Sequence, residues 1–219
     1  MTKAEIVQSF RKIPTGNIAD AMDDMGLKRQ VILGLNPIDP TLPRMVGWAF
    51  TLRQAARRAD TKHENYTKQI LAVDELAQPG DVIVYACNSR TDVCTGGSIL
   101  ALRAQVRGLA GFVVDGCFRD VDEIVALKFP VYLKDTSPIR SKYDIMTYDM
   151  QCPVEVCGIS VCPGDLIVAD PTGIIAIPPD LIEEVLRRSQ IIFDSEAQFE
   201  DAIRSGVSMQ EFSAAAVKR

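Results

Sequence analysis

The spacing of apolar residues predicts helices that alternate with strands. A helix is predicted over residues 15–26, with Thr15 as its N-cap and Gly26 at its left-handed end. Its apolar stripe consists of Ile18, Ala21, Met22 and Met25. The stretch 33–47 is rich in proline and glycine, which predicts a loop leading into a strand over residues 46–53.

The same pattern continues into the centre of the chain. Helical spacing recurs in residues 61–77 from Tyr66 onward, and Pro79-Gly80 then turns the chain into a short apolar strand over 81–86. The next helix is predicted over 98–107, with Ser98 as its N-cap and Gly108 at its end. Its apolar stripe consists of Ile99, Leu102 and Val106.

Extended segments dominate the second half of the chain. A buried strand is predicted over 111–115, a helix with an acidic first turn over 120–127, and further strands near 154–161 and 166–169. Residues 180–205 read as one long amphipathic helix or two joined helices. They are expected to pack through Ile182, Val185, Leu186, Ile192 and Phe193. This alternation predicts a layered α/β or β/β/α fold with a mixed sheet.

Size and charge narrow the class of protein. The chain has 219 residues, which fits a single domain over 1–219, with a core of about 10–180 and a C-terminal helical segment over 180–219. A net charge of −5 and the absence of a Lys/Arg block argue against a nucleic-acid partner. No signal-peptide core and no membrane-spanning run is found, so we expect a cytoplasmic protein with no membrane partner.

The cysteines and the single histidine suggest no site of their own. The six cysteines contain no C-x-x-C pair, and three of them are evenly five residues apart, which favours reduced thiols over a zinc site. His63 lies in a polar stretch without a nucleophile motif, so a Ser-His-Asp or Cys-His mechanism is not indicated. Neither G-x-G-x-x-G nor a P-loop motif occurs.

The candidate chemistry lies in residues 96–120. Gly96-Gly97 opens a predicted helix whose first N–H groups can bind an anion. Arg119 offers a forked cation for a carboxylate, and Asp120 a hard oxygen for a divalent metal. Together they suit a small acidic substrate. The simpler alternative is a surface ion pair or a helix start capped by Asp120. Asp115 fits a structural strand-end role as well as a catalytic one.

The order of several motifs carries a family resemblance. They are T-x-x-I-x-D-A, PGDVIV, G-G-x-x-x-A, G-x-A-G-x-V-x-D-G-x-x-R-D-x-D-E and PGD-x-I-x-A-D-x-x-G-x-x-x-I-P. Over residues 10–190 the chain resembles the family of regulator-of-ribonuclease-E-like proteins and 4-hydroxy-4-methyl-2-oxoglutarate aldolases. This family formerly carried a demethylmenaquinone methyltransferase label. No glycine-rich nucleotide loop follows a strand here, so that label gains no support.

The resemblance implies a fold, an activity and a site. The fold is a β/β/α fold similar to phosphohistidine swivelling domains, assembled as homotrimers or homohexamers. The implied enzyme is a class II aldolase that needs Mg²⁺ or Mn²⁺. It cleaves a 4-hydroxy-2-oxo acid by a retro-aldol reaction, decarboxylates oxaloacetate, or does both, through a pyruvate enolate. The alternative is a non-catalytic regulatory binding protein of the ribonuclease-E-inhibitor type.

Matched residue by residue, the resemblance assigns each site role to this chain. The substrate-binding backbone falls on Gly97, Ser98, Ile99 and Leu100. Arg119 is assigned as the catalytic, substrate-binding arginine and Asp120 as the catalytic metal ligand. Many family members have an acidic residue at the position of Ser98, and serine brings no negative charge to the cation.

Overall fold

A computed structural model describes residues 1–58 and 68–210. Its helices are α1 (Lys3–Phe10), α2 (Thr15–Asp24), α3 (Lys68–Leu71), α4 (Ser98–Val106), α5 (Val121–Leu127) and α6 (Ile182–Arg204). A π-helical turn over Ala72–Leu76 continues α3, and a 3₁₀ turn over Pro179–Leu181 precedes α6. The strands are β1 (Val31–Ile32), β2 (Asn36–Pro37), β3 (Met45–Ala56), β4 (Asp81–Ala86), β5 (Cys94–Gly96), β6 (Gly111–Phe118), β7 (Val131–Thr136), β8 (Ile145–Met150), β9 (Val154–Val156), β10 (Ile159–Val161), β11 (Leu166–Asp170) and β12 (Gly173–Ile177).

One large mixed sheet organises the molecule. Its strand order is β1-β12-β11-β3-β4-β6-β7-β2, with β5 added beside β6 and β8 beside β3. The central strands β3, β4, β6 and β7 are parallel, and the outer pairs are antiparallel. Strands β9 and β10 form a separate hairpin. The predicted layered α/β fold with a mixed sheet and a C-terminal helix is confirmed.

Side chains of the parallel strands alternate between two cores. In β4, Ile83 and Tyr85 join the core with Ala101 and Ala104 of α4, whereas Val82 and Val84 join the core beneath the β9–β10 hairpin. Buried aromatic rings fill the first core, with Phe112 and Phe118 packed edge-to-face against Tyr85. The buried hydroxyl of Tyr85 has no hydrogen-bond partner among the described residues.

A third core lies at the antiparallel end of the sheet. Helices α1, α2 and α6 pack there on β11 and β12, with Phe10 and Ile18 fully buried. Helix α6 is a single helix, the first of the two predicted alternatives. Its first turns bury Ile182, Val185 and Leu186, while Ile192 and Phe193 are only partly buried. No helix in the described ranges is both long and apolar enough to cross a membrane.

Some local predictions are wrong or incomplete. Thr15 is not the N-cap of α2; Pro14 is, because the amide and hydroxyl of Thr15 donate instead to the two carboxylate oxygens of Asp170, at 3.0 and 2.7 Å. Gly26 does adopt the predicted left-handed conformation, with φ of 67°. The helix predicted over 61–77 appears from residue 68 as a short α-helix and a π-turn. Its earlier part, with His63 and Tyr66, lies outside the described residues.

Several elements have no predicted range of their own. They include α1 and the strands β1, β2, β5, β8 and β12, of which β2 lies within the predicted loop over 33–47. For α1 the signal is a capping box, since the Thr2 hydroxyl accepts from the Glu5 amide at 3.3 Å and the Glu5 carboxylate accepts from the Thr2 amide at 2.7 Å. The 12-residue strand β3 also extends beyond its predicted end, because β8 pairs with its second half.

Candidate functional site

Two loops meet where neighbouring parallel strands end. Strand β5 ends at Gly96 and leads into α4, and β6 ends at Phe118 and leads through Arg119 and Asp120 into α5. The two ends are paired in the sheet, and the Arg119 amide donates to the Gly96 carbonyl at 3.1 Å. The predicted site segments 97–100 and 119–120 are therefore neighbours. Ligands of open parallel sheets commonly bind at such carboxyl ends.

Glycines at 96 and 97 permit this close approach. A Cβ at Gly96 would lie 2.5 Å from the tip of the Phe118 ring, which is buried in the core. A Cβ at Gly97 would collide with Oδ2 of Asp120 and lie 3.0 Å from Cγ of Arg119. Gly97 has an extended backbone, so the need for glycine there comes from space and not from conformation.

Asp120 is turned away from its own helix. It occupies the N-cap position of α5 in the left-handed region, with φ of 62° and ψ of 49°, and makes no side-chain cap there. Instead Oδ2 accepts hydrogen bonds from the amide of Ser98 at 3.1 Å and from its hydroxyl at 3.2 Å. Asp120 therefore stabilises the start of α4, not α5. Such a backbone conformation costs about 1–3 kcal/mol and is characteristic of functional sites.

The same geometry corrects the predicted role of Ser98. Gly97 is the N-cap of α4, and Ser98 is the first residue within the helix. The Ser98 side chain does not accept from the following amides, because it is directed to Asp120. The cap oxygen comes from a residue 22 positions further along the chain.

The two oxygens of Asp120 differ in their surroundings. Nε of Arg119 is 3.5 Å from Oδ2, which thus faces this guanidinium as well as Ser98. Within residues 1–58 and 68–210, Oδ1 accepts no hydrogen bond. One hard, negatively charged oxygen is thus left for a ligand.

This donor set fits Mg²⁺ better than zinc. The described residues contain no group of three or more His, Cys, Asp or Glu side chains that could hold a metal ion. Zinc sites usually need three or four protein ligands. Mg²⁺ commonly keeps several waters and binds through one or two carboxylates together with substrate oxygens. A single free oxygen of Asp120 meets that requirement.

The first amides of α4 are not equivalent. The Ser98 amide donates to Asp120, and the Leu100 amide donates to the Gly97 carbonyl at 3.1 Å. The amides of Gly97 and Ile99 have no acceptor in the part of the chain that the structure describes. They lie at the positive end of the helix, where an anion is stabilised. Two of the four predicted backbone donors are thus available for a carboxylate.

A cavity of about 290 Å³ opens beside these groups. Among the residues that the structure describes, its charged lining consists of Arg103, Arg119, Arg140 and one carboxylate, that of Asp120. Arg103 forms an ion pair with Asp74. The cavity also contains Cys94, whose thiol pKa is raised by burial and lowered in part by the nearby Arg119. Its remaining lining residues are Gln69, Ile70, Thr95, Gly96, Gly97, Ile99 and Leu100. The lining favours an anionic ligand.

Sequence reasoning missed Gln69, Arg103 and Arg140. Gln69 and Arg140 come from segments far from the glycine turn, and Arg103 lies further along α4, so only the fold shows that all three line one cavity. Gln69 belongs to a buried amide network: Nε2 of Gln54 donates to Oε1 of Gln69 and to Oγ1 of Thr147, each at 3.0 Å. The Thr95 hydroxyl donates to Oε1 of Gln54. One wall of the cavity is therefore held by paired side chains.

The predicted apolar stripe of Ile99, Leu102 and Val106 does not pack on the core. These side chains are exposed, with Ile99 at 79% and Val106 at 68%. Helix α4 instead places Ala101 and Ala104 against the sheet, because small residues let it approach the aromatic core closely. Further exposed apolar side chains lie on the preceding helical segment, namely Ile70, Leu71 and Leu76. Ile70 and Ile99 line the cavity, so this apolar surface reaches its mouth.

Asp115 has the structural role. It is buried near the end of β6 and accepts from the Ser89 amide at 3.0 Å and the Ser89 hydroxyl at 2.8 Å. Asn88 and Ser89 both have positive φ, so this carboxylate holds a strained turn. Asp115 does not line the cavity.

Comparison with known proteins agrees with the resemblance in the motifs. A family model described as "RraA-like: Aldolase/RraA" matches residues 15–176. The "Putative 4-hydroxy-4-methyl-2-oxoglutarate aldolase" of Halalkalibacterium halodurans is 34% identical over 192 residues, covering 87% of this chain and 85% of that protein. Protein DlpA of Legionella pneumophila is 28% identical over 96% of this chain, which spans only 33% of DlpA. Streptomyces coelicolor RraAS2 is a solved structure described as an unusual member of the RNase ES inhibitor RraA protein family. It superposes with a TM-score of 0.79 at 28% identity, covering 93% of this chain and 97% of that chain.

Proposed function

This chain belongs to the RraA-like family, and on that premise we propose that it is a divalent-metal-dependent lyase acting on small 2-oxo acids. Its reaction is the retro-aldol cleavage of a 4-hydroxy-2-oxo acid, the decarboxylation of oxaloacetate, or both. The observation that carries the proposal is the cavity where Arg119, Asp120 and the free amides of α4 converge. The name of the Halalkalibacterium halodurans relative supports the aldolase assignment.

Both reactions make the same demand on the site. In the retro-aldol reaction the 4-hydroxyl gives its proton to water, the bond between C3 and C4 breaks, and a carbonyl product leaves. In the decarboxylation the bond from C3 to the carboxylate breaks and CO₂ leaves. In each case the electron pair moves onto the 2-oxo oxygen, giving pyruvate enolate, which then takes a proton from water at C3. The site must therefore stabilise an oxyanion beside a carboxylate.

Three kinds of group in this site can together stabilise the oxyanion and the carboxylate. The guanidinium of Arg119 grips the carboxylate and the 2-oxo oxygen through two parallel N–H groups. The amides of Gly97 and Ile99 receive the carboxylate at the positive end of α4. Oδ1 of Asp120 would hold Mg²⁺ or Mn²⁺. When bound, the cation supplies further positive charge next to the 2-oxo group.

We also propose that the exposed apolar face of α4 packs against a second copy of this chain, within the trimer or hexamer that the resemblance implies. Large exposed apolar patches commonly mark association sites, and this one includes Ile99 at 79% exposure. Val106 lies on the same face and does not line the cavity, so Val106→Glu tests the assembly without touching the site. Light scattering should show an oligomer for the wild type and a lower mass for V106E. A monomeric wild type would contradict the proposal.

The decisive experiment compares two acidic residues at the start of α5. Pyruvate release from oxaloacetate and from 4-hydroxy-4-methyl-2-oxoglutarate is followed with Mg²⁺ and coupled lactate dehydrogenase. Asp120→Asn should lose at least about a hundredfold in rate. Asp122→Asn removes the same charge from an exposed side chain outside the cavity and should remain within about twofold of the wild type. Wild-type activity in D120N would refute the proposed site.

A regulatory binding protein is the second candidate, favoured by the structural likeness to RraAS2. The two candidates differ in what the cavity is for. A regulatory binding protein needs no substrate turnover, so the Asp120→Asn variant would still bind and regulate its protein partner. If the wild type releases no pyruvate above the spontaneous rate with Mg²⁺ or Mn²⁺, the lyase proposal fails and the regulatory function becomes the better account.

A further inference from the structure

Arg140 is distant in sequence from Arg119 and Asp120, but it lines the same cavity. It follows β7, and the segment is fixed by a parallel bridge between Cys94 and Arg140. The amide of Cys94 also donates to the carbonyl of Ile139 at 2.8 Å. The backbone of Arg140 is thus attached to β5, the strand that leads into Gly97. Both arginines line one cavity.

The three arginines of this cavity differ in their partners. Arg103 is neutralised by Asp74, and Nε of Arg119 lies 3.5 Å from Asp120. Arg140 has no acidic partner within ion-pair distance in the ranges 1–58 and 68–210. A guanidinium at a cavity wall without a carboxylate partner is suited to bind the carboxylate of a ligand in a forked geometry.

We propose that Arg140 binds a second carboxylate of the substrate, at the end opposite the 2-oxo group. This inference rests on the proposed function, because the 2-oxo end is assigned to Arg119, Asp120 and the amides of α4. With those groups occupied and Arg103 paired with Asp74, Arg140 is the cation left for the far end of the molecule among the described residues that line the cavity. Oxaloacetate and 4-hydroxy-4-methyl-2-oxoglutarate both carry such a second carboxylate, whereas a monocarboxylate of the same length leaves Arg140 without a partner. Arg140 is thus a specificity-determining residue.

The test uses two ligands that differ only at the far end. 2-Oxoglutarate and 2-oxopentanoate have the same chain length, and neither carries the 4-hydroxyl group needed for retro-aldol cleavage. Their binding to the full chain with Mg²⁺ is measured by titration calorimetry. The wild type should bind 2-oxoglutarate more tightly by roughly 10- to 100-fold, the range expected for a charge-assisted forked contact. Arg140→Gln should reduce that ratio to about one to three and leave 2-oxopentanoate affinity unchanged.

Arg103→Gln is the matched control. It removes an equal charge from the same cavity, but from a side chain already paired with Asp74, so the preference for 2-oxoglutarate should persist. The inference is overturned if the wild type shows no preference, if R140Q keeps the preference, or if R103Q abolishes it instead. Pyruvate release is measured separately on the wild type. If R140Q loses the preference for 2-oxoglutarate but the wild type releases no pyruvate, the inference about Arg140 holds and the lyase proposal fails. If the wild type releases pyruvate but shows no preference for 2-oxoglutarate, the lyase proposal holds and the inference about Arg140 fails.

Discussion

Replacing Gly97 with alanine is the sharpest test of the site, since it adds one methyl group where two segments meet. That Cβ would overlap Oδ2 of Asp120 and lie 3.0 Å from Cγ of Arg119. The backbone of Gly97 is extended, which alanine adopts without strain. The methyl group therefore acts only by displacing the two side chains that form the site.

The displacement can be translated into a rate. To reach ordinary van der Waals contact, Oδ2 of Asp120 must retreat by about 1 Å, and a misplacement of that size costs about a hundredfold in rate. The hydrogen bond from the Ser98 amide to the same oxygen is lost with it. We expect kcat/KM to fall about 100-fold, which corresponds to roughly 2.7 kcal/mol of transition-state stabilisation. Stability should change by no more than about 1 kcal/mol, because the affected side chains are partly exposed.

Two glycine controls separate the effect on the site from effects on the fold. Gly16→Ala places a methyl group on α2 with nothing within 4 Å and should leave activity unchanged. Gly96→Ala directs its methyl group into the Phe118 ring and should destabilise the protein by about 1–3 kcal/mol. Pyruvate release and urea unfolding are measured for each variant. The reasoning is refuted if G97A retains wild-type kcat/KM, or if its loss of activity matches its loss of stability.

Four further predictions follow from individual contacts. Arg119→Lys should lower kcat/KM at least about tenfold, because lysine keeps the charge but not the fork; equal rates would contradict this assignment. Ser98→Glu places a second carboxylate beside Asp120, so Mg²⁺ should raise its melting temperature more than that of the wild type, and an unchanged Mg²⁺ response would show that residue 98 lies outside the metal's reach. Tyr85→Phe removes a buried hydroxyl without a partner and should raise the free energy of unfolding by about 1 kcal/mol, whereas a loss would reveal a hidden partner. Burial raises the pKa of Asp170, but the hydrogen bonds that its carboxylate accepts prevail, so its folded-state pKa lies below the usual value. The contribution of this carboxylate to the free energy of unfolding is therefore complete above the unfolded-state pKa and is lost as the pH falls through the folded-state pKa. Asp170→Asn should cost about 2 kcal/mol at pH 7 and progressively less below about pH 4 in urea unfolding, and a difference independent of pH would contradict this.

The sequence could predict the centre of the site because its parts are joined by regular structure. Gly97 and the Arg119-Asp120 pair each follow a strand, and the two strands pair in the sheet. The carboxyl ends of adjacent parallel strands necessarily lie close together. Arg103 and Arg140 carry no such local signal. Their place in the cavity depends on the packing of α4 and on the bridge to Cys94, which only the folded chain shows.

Periodicity alone could not determine which face of α4 is buried. The spacing of Ile99, Leu102 and Val106 identifies an apolar stripe, yet alanines on another face make the contact with the sheet. A close approach to the Tyr85, Phe112 and Phe118 rings leaves room only for small side chains. An apolar stripe indicates that a surface is covered, but not whether the same chain covers it.

Two helices show why a threonine or serine near a helix start gave the wrong N-cap. In α2 and in α4 the capping carboxylate comes from a distant segment and accepts from both the amide and the hydroxyl of the first helical residue. Asp170 uses both of its oxygens, since it also accepts from the Thr172 amide at 2.9 Å and from Nε of Arg44 at 3.1 Å.

Asp120 uses only one oxygen for its cap. Its Oδ1 accepts no hydrogen bond from the described residues, although the left-handed backbone that orients this side chain is costly. Asp170 and Asp120 thus cap their helices in the same way, but they differ in whether a carboxylate oxygen is left without a hydrogen bond. With four donors in place, Asp170 can serve stability alone. With one free oxygen at a cavity containing three arginines, Asp120 is the carboxylate positioned to bind a cation together with an anionic substrate.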